Sequence, residues 1–195
     1  MEQDKQVLID FIKKNAHTSD RIVQEIVSHF ECKNIPRNGF FLKSGKVSNE
    51  YLFLEEGVLR AFTLAVSGEE VTTNFFTKNR LVFEPSSLFI RTVSKENIQA
   101  LTDCKGFSIA YEKLNMLFHS IPEFREFGRA MLVKEFAAFK ARTLSSITET
   151  AEEQYAWLLA ENPEIFQSAQ LKHIASYLGV TDSSLSRIRR GFSKK

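Results

Sequence analysis

The chain has 195 residues, 43% of them hydrophobic and 26% charged, and a formal net charge of +2. That length and balance allow a real core, in one large domain or two modest ones, and exclude a disordered chain. No uncharged apolar run approaches the roughly 20 residues that cross a bilayer, and the opening "MEQDKQVLID" lacks the apolar stretch of a signal peptide, so a cytoplasmic protein with no membrane partner is expected.

Residues 3–29 read as helical, because Val7, Leu8, Phe11 and Ile12, then Ile22, Val23, Ile26, Val27 and Phe30, recur at spacings of three and four. From about Glu31 the period changes. Short β-rich runs follow, separated by turn signals at 36–39, Gly45, Gly57 and 67–68. Val58, Arg60, Phe62 and Leu64 alternate with Leu59, Ala61 and Thr63, and strand signals resume at "NIQALTDCKGFSIAY". Many short strands so spaced predict an antiparallel barrel or roll, with the 18 phenylalanines in its core. Cys32 and Cys104 match no metal or redox spacing and read as two reduced thiols.

Helical periodicity returns after Ile109. Pro122 suits the first turn of a helix, and the helix it opens carries two apolar stripes. One is Phe124, Phe127, Met131, Leu132, Phe136 and Phe139; the other is Ala130, Val133, Ala137, Ala141 and Leu144. A monomer's surface helix needs one apolar face. Two faces predict one packed on the roll and one offered to a second copy, unless both are buried within one subunit. A further helix, about 148–161, carries Tyr155, Trp157, Leu158 and Leu159 and ends before Pro163.

The last stretch, "LKHIASYLGVTDSSLSRIRRGFSKK", combines a pattern with a charge. Residues 169–195 hold six basic side chains against Asp182, a net +5, which leaves −3 for the rest; that asymmetry points to a polyanion. Ile174 and Leu178 share one helical face, and Leu185 and Ile188 share another. Ala175 allows close approach, Gly179 can take the positive φ that ends a helix, and Thr181 is a good N-cap. This is the pattern of a helix-turn-helix whose second helix enters the DNA major groove. Its polar residues Ser183, Ser184, Ser186, Arg187, Arg189 and Arg190, with Lys194 and Lys195, are the candidate contacts to double-stranded DNA. Arg187 is the candidate base reader, because arginine forms two hydrogen bonds to a guanine edge.

The whole chain then resembles the cyclic-AMP receptor/fumarate-nitrate regulator (Crp/Fnr) family of bacterial transcription factors. "IASYLGVTDSSLSRIRR" closely matches the family's Ile-Ala-x-x-Leu-Gly…Leu-Ser-Arg signature, and "IPRNGFFLKSG" and "YLFLEEGVLRAF" match the roll more loosely. The resemblance implies an α+β fold: an N-terminal antiparallel β-roll of the cyclic-nucleotide-binding type over 1–121, a dimerisation helix over 122–147, and a winged helix-turn-helix over 148–195. With "FSKK" after Gly191 and so few residues in 163–168, any wing is expected to be short. It also implies a homodimer, a small-molecule effector and RNA polymerase as partners.

Departures from the family are specific. Members that bind cyclic AMP carry Phe-Gly-Glu and, later, Arg-Ser/Ala-Ala. Here "LVFEPSSLFIRTVSKENIQAL" keeps Phe83 and Glu84 without the glycine, and "SKENIQA" stands where the arginine segment belongs. A phosphodiester without that arginine loses a charge-assisted bond. Glu84, with Arg91 or Lys95 in the arginine's place, is the candidate effector set, and no cofactor is assigned; a cyclic nucleotide would meet a degraded phosphate motif. Asp182, Ser183 and Ser184 replace the Arg-Glu-Thr that often opens the recognition helix, which predicts an unfamiliar operator. Two isolated cysteines and four scattered histidines (His17, His29, His119, His173) support neither an iron–sulfur cluster nor haem, and no metal site is expected. No GxSxG elbow, HExxH helix or phosphate-binding glycine loop is present, so no catalytic residue is assigned. The competing reading is a ligand- or protein-binding module of the same fold without specific DNA binding, favoured by Asp182, whose carboxylate repels phosphate.

Overall fold

The computed structural model describes residues 5–192. The opening helical zone is two helices, α1 (Gln6–Asn15) and α2 (Asp20–Ser28). Periodicity alone hides the break. Ser19 makes it, by accepting the Ile22 N–H and starting a second helix.

Eight strands follow: β1 (Glu31–Ile35), β2 (Phe40–Leu42), β3 (Glu50–Glu56), β4 (Leu59–Leu64), β5 (Glu70–Phe76), β6 (Arg80–Val82), β7 (Asn97–Ala100) and β8 (Cys104–Ala110), with helix α3 (Pro85–Phe89) between β6 and β7. They form two four-stranded antiparallel sheets, ordered β1-β8-β3-β6 and β2-β7-β4-β5. Leu42, Leu52, Leu54, Leu59, Ala61, Phe76, Val82, Ile98 and Ala100 fill the space between the sheets. This is the expected roll. Along β4 the alternation holds, with a bulge at Ala61/Phe62, but both faces are buried: Leu59 and Ala61 face the interior, and Arg60 lies beneath a later helix with only 1% of its surface exposed. Cys32 is exposed, Cys104 is buried, and both are free.

Helix α4 (Tyr111–Ser120) leads into α5 (Pro122–Thr148), with Pro122 in the first turn as the sequence predicts. The first half of α5 packs with α1, α2 and α4 on the outer face of the first sheet, through Phe124, Phe127 and Met131 against a core that includes Phe53 and Phe107. Beyond Met131 the predicted stripes do not hold. Glu135 pairs with Arg80 and Arg142 donates to the Thr73 carbonyl, so polar residues face the roll. Leu132, Val133, Phe136, Phe139, Leu144 and Ile147 face outward, with Phe136 at 68% and Ile147 at 75% exposure. Thus Leu132, Phe136 and Phe139 leave the stripe begun by Phe124 and join Val133 and Leu144, while Ala130 is only half-buried and packs on the roll side.

The remainder is α6 (Ala151–Glu161), α7 (Pro163–Ser168), α8 (Leu171–Tyr177) and α9 (Asp182–Phe192). Thr150 caps α6 in a reciprocal box with Glu153. That cap moves the helix start from the expected 148 to 151. Among the described residues after Thr148 there is no strand, and 163–168, where little room for a wing was expected, is helical. These four helices close a core of Tyr155, Leu158, Ile165, Ile174, Ala175, Leu178, Leu185 and Ile188, which also includes Val58, Phe75 and Leu101 of the roll. These four helices, the head, therefore share one cluster with the second-sheet side of the roll.

Candidate functional site

Two places carry the predicted residues. The first is the α8–α9 pair. Gly179 adopts φ +68°, and the Val180 N–H returns to the Ala175 carbonyl at 3.0 Å, which ends α8 and turns the chain. Thr181 then accepts the Ser184 N–H at 3.2 Å and starts α9. Leu185 and Ile188 bury one face of α9 against the head core. On the opposite face, Ser183, Ser186, Arg187 and Arg190 fall at i, i+3, i+4 and i+7, a single stripe.

Arg187 and Arg190 are exposed, and each is braced by its own helix. Arg187 donates from Nη2 to Ser184 Oγ at 3.3 Å, and Arg190 donates from Nε to the Ser186 carbonyl at 3.3 Å. Ser184 and Arg187 line an open cleft of about 610 Å³ with Glu152, Val180, Ile188 and Phe192. Arg189 is exposed on the flank of the stripe rather than at its centre. Asp182 is exposed at the start of the helix. Lys194 and Lys195 lie outside the described residues.

The second place is the segment after β6. Glu84 is turned onto the helix that follows it. Its carboxylate caps α3, accepting the N–H groups of Ser86 at 3.2 Å and Ser87 at 2.6 Å. Arg91 has φ +62° and donates to the Ser48 carbonyl at 2.7 Å and to Asn49 Oδ1 at 2.5 Å, with its guanidinium 4.0 Å above the Tyr111 ring. Lys95 is exposed, and its carbonyl accepts from Thr63. Glu84 and Arg91 are thus each engaged with neighbours of their own, and no contact joins the three. Ser94, which opens the "SKENIQA" segment, is buried and turns its hydroxyl back on Glu96. Among the described residues, no three His, Cys, Asp or Glu side chains are grouped to hold a metal ion, and no helix is long and apolar enough to cross a membrane.

A third polar group, Arg60 with Glu70 and His173, lies at the junction of roll and head and has no local signal in the sequence. Arg60 on a strand reads as an exposed charge, because nothing local reports that α8 will cover it.

Comparison with known proteins places this architecture. Residues 32–120 match the family model described as cyclic nucleotide-binding domain. No curated protein sequence matches the chain. Among solved structures, FixK2 from Bradyrhizobium japonicum has a TM-score of 0.72 at 16% identity, covering 85% of this chain and 85% of that one. A putative transcriptional regulator of the Crp/Fnr family from Eubacterium rectale has a TM-score of 0.70 at 15% identity, covering 90% and 84%. The c-di-GMP-responsive global regulator CLP from Xanthomonas campestris has a TM-score of 0.68 at 16% identity, covering 90% and 92%. The chain shares the fold of these three structures over most of its length: an antiparallel roll, a long helix and a set of C-terminal helices.

Proposed function

We propose that the protein is a DNA-binding transcription regulator of the Crp/Fnr type, with 1–121 as the sensing roll, 122–147 as the dimerisation helix and 148–195 as the DNA-binding head. The observation that carries this reading is the stripe on α9, in which Arg187 and Arg190 point outward while Leu185 and Ile188 anchor the helix. Two recognition helices meet successive major grooves about 34 Å apart when a twofold dimer sets their spacing. The outward apolar face of α5, from Leu132 to Ile147, is the surface for that dimer. A bacterial, cytoplasmic regulator that acts on RNA polymerase is consistent with the relatives in fold. The effector is left unassigned, because Glu84, Arg91 and Lys95 do not converge.

A second reading, a binding module of the same fold without specific DNA recognition, has one observation in its favour: the exposed carboxylate of Asp182 at the leading end of α9. Fluorescence-anisotropy titration against fragments of the source genome, with a random duplex as reference, separates the two. A regulator selects some fragments by about 1,000-fold or more over the random duplex. Equal affinity for all fragments, or none, establishes the second reading.

A further inference from the structure

The head rests on the roll through a contact that apolar packing alone does not describe. Helix α8 turns His173, Ser176 and Tyr177, spaced i, i+3 and i+4, toward β5. Ser176 Oγ accepts the Thr72 N–H at 3.1 Å and lies 2.9 Å from Thr72 Oγ1. The Tyr177 and Phe75 rings have centroids 5.1 Å apart, and the Arg142 guanidinium sits 3.9 Å from the centre of the Tyr177 ring.

Beside these contacts lies the buried polar group. Arg60 Nη2 pairs with Glu70, but its Nε and Nη1 find no hydrogen-bond partner among the described residues, and neither does Nδ1 of His173. His173 Nε2 is 3.9 Å from the Glu70 carboxylate. Buried polar atoms without partners are costly, and each recovers water if the head moves away. Docking is therefore a balance: Val58, Phe75 and Leu101 hold the head core, and the unpaired polar atoms oppose them.

We propose that the α8–β5 contact is a latch, closed in this structure, which holds the head on the roll and opens when His173 takes up a proton. Docked His173 is almost wholly buried and lies near two cations, Arg60 and Lys172. Burial first, then those two charges, push its pKa down to about 4. Glu70 and Asp182 act in the opposite sense and do not prevail. Glu70 already serves Arg60 with its side chain 42% exposed, and Asp182 is exposed on α9. An undocked imidazole returns to its ordinary value of about 6.5. The undocked state therefore binds the proton more readily. Docking keeps its full strength above about pH 6.5 and loses it as the pH falls toward 4. Only a short turn separates α8 from α9, so the latch fixes where α9 points, whatever α9 binds.

Hydrogen exchange of the full chain tests the latch without DNA. Wild type and His173→Gln are compared at about pH 7.5 and about pH 5, either side of the free imidazole value, with the intrinsic pH dependence of exchange removed. In wild type, the amides of Thr72 and α8 lose about tenfold or more of their protection at the lower pH, while β3 and β8 keep theirs. His173→Gln shows no such loss. The proposal is overturned if wild type keeps its protection, if His173→Gln loses as much, or if the loss spreads evenly through the roll. An NMR titration of the His173 ring protons in wild type decides the matter if the variant does not fold. A midpoint well below the free value of about 6.5 supports the latch, and a midpoint at that value overturns it.

Discussion

Glu84 places a carboxylate oxygen 2.6 Å from the backbone nitrogen of Ser87, so the first turn of α3 already holds an anion of its own. The N–H groups that begin a helix are the ready-made donors for a phosphate, and here an internal carboxylate occupies two of them. Arg91 is engaged by Ser48 and Asn49 and so is not a free guanidinium in place of the family's arginine. Cyclic AMP is therefore expected to bind weakly. Isothermal titration calorimetry should give a dissociation constant above about 1 μM, roughly −8 kcal/mol of binding free energy. A submicromolar value would force a rearrangement of Glu84 and Arg91 and refute the expectation.

Phe136→Glu and Phe139→Glu should each dissociate the proposed dimer. Both side chains are largely exposed on the isolated chain, and burying a phenylalanine is worth about 1.5–3 kcal/mol. Each substitution occurs twice in a twofold interface, so the dimer constant should weaken by about 100-fold or more. Light scattering reads the change. A wild-type chain that is monomeric at micromolar concentration, with or without DNA, contradicts the twofold arrangement outright.

Arg187→Ala should remove a base contact worth about 1–3 kcal/mol per half-site and relax specificity at one base pair. Arg189→Ala and Arg190→Ala should instead weaken binding to all duplexes alike and flatten the salt dependence, as phosphate contacts do. Titrations on selected and random DNA distinguish the two effects. An unchanged ratio for Arg187→Ala means that another residue reads the sequence.

Gly106→Ala tests the roll itself. A Cβ at this position would lie 2.2 Å from the Phe53 carbonyl oxygen, on a strand paired on both sides. Backbone cannot yield there as a flexible side chain would. Chemical denaturation should show a loss of about 1–3 kcal/mol or more, and a neutral outcome would show that β3 and β8 can part locally.

How much of this was legible in the sequence depended on how local the cause was. Gly179, Thr181 and the spacing of Ile174, Leu178, Leu185 and Ile188 specify the helix pair within about 15 residues, and the structure agrees. Pro122 marked the start of α5 for the same reason. The faces of α5 were misassigned because periodicity ranks residues around a helix but does not say what each half meets. Phe124 and Phe136 looked alike, yet the roll covers only the first. Arg60 and His173 were unreadable because their burial depends on a contact between distant parts of the chain. The candidate effector set failed to assemble because Glu84 and Arg91 found nearer partners.

The bond between Thr72 and Ser176 joins residues 104 positions apart. On a ribosome adding roughly 5–20 residues per second, β5 waits about 5–20 s for α8 to emerge. For most of that interval Val58 and Phe75, and Leu101 once it is made, lack the helices that complete their cluster. The newborn roll therefore carries an adhesive apolar face beside the edge strand β5, and a chain stopped before the head should keep it. Synthesis order makes the head a built-in chaperone that arrives late.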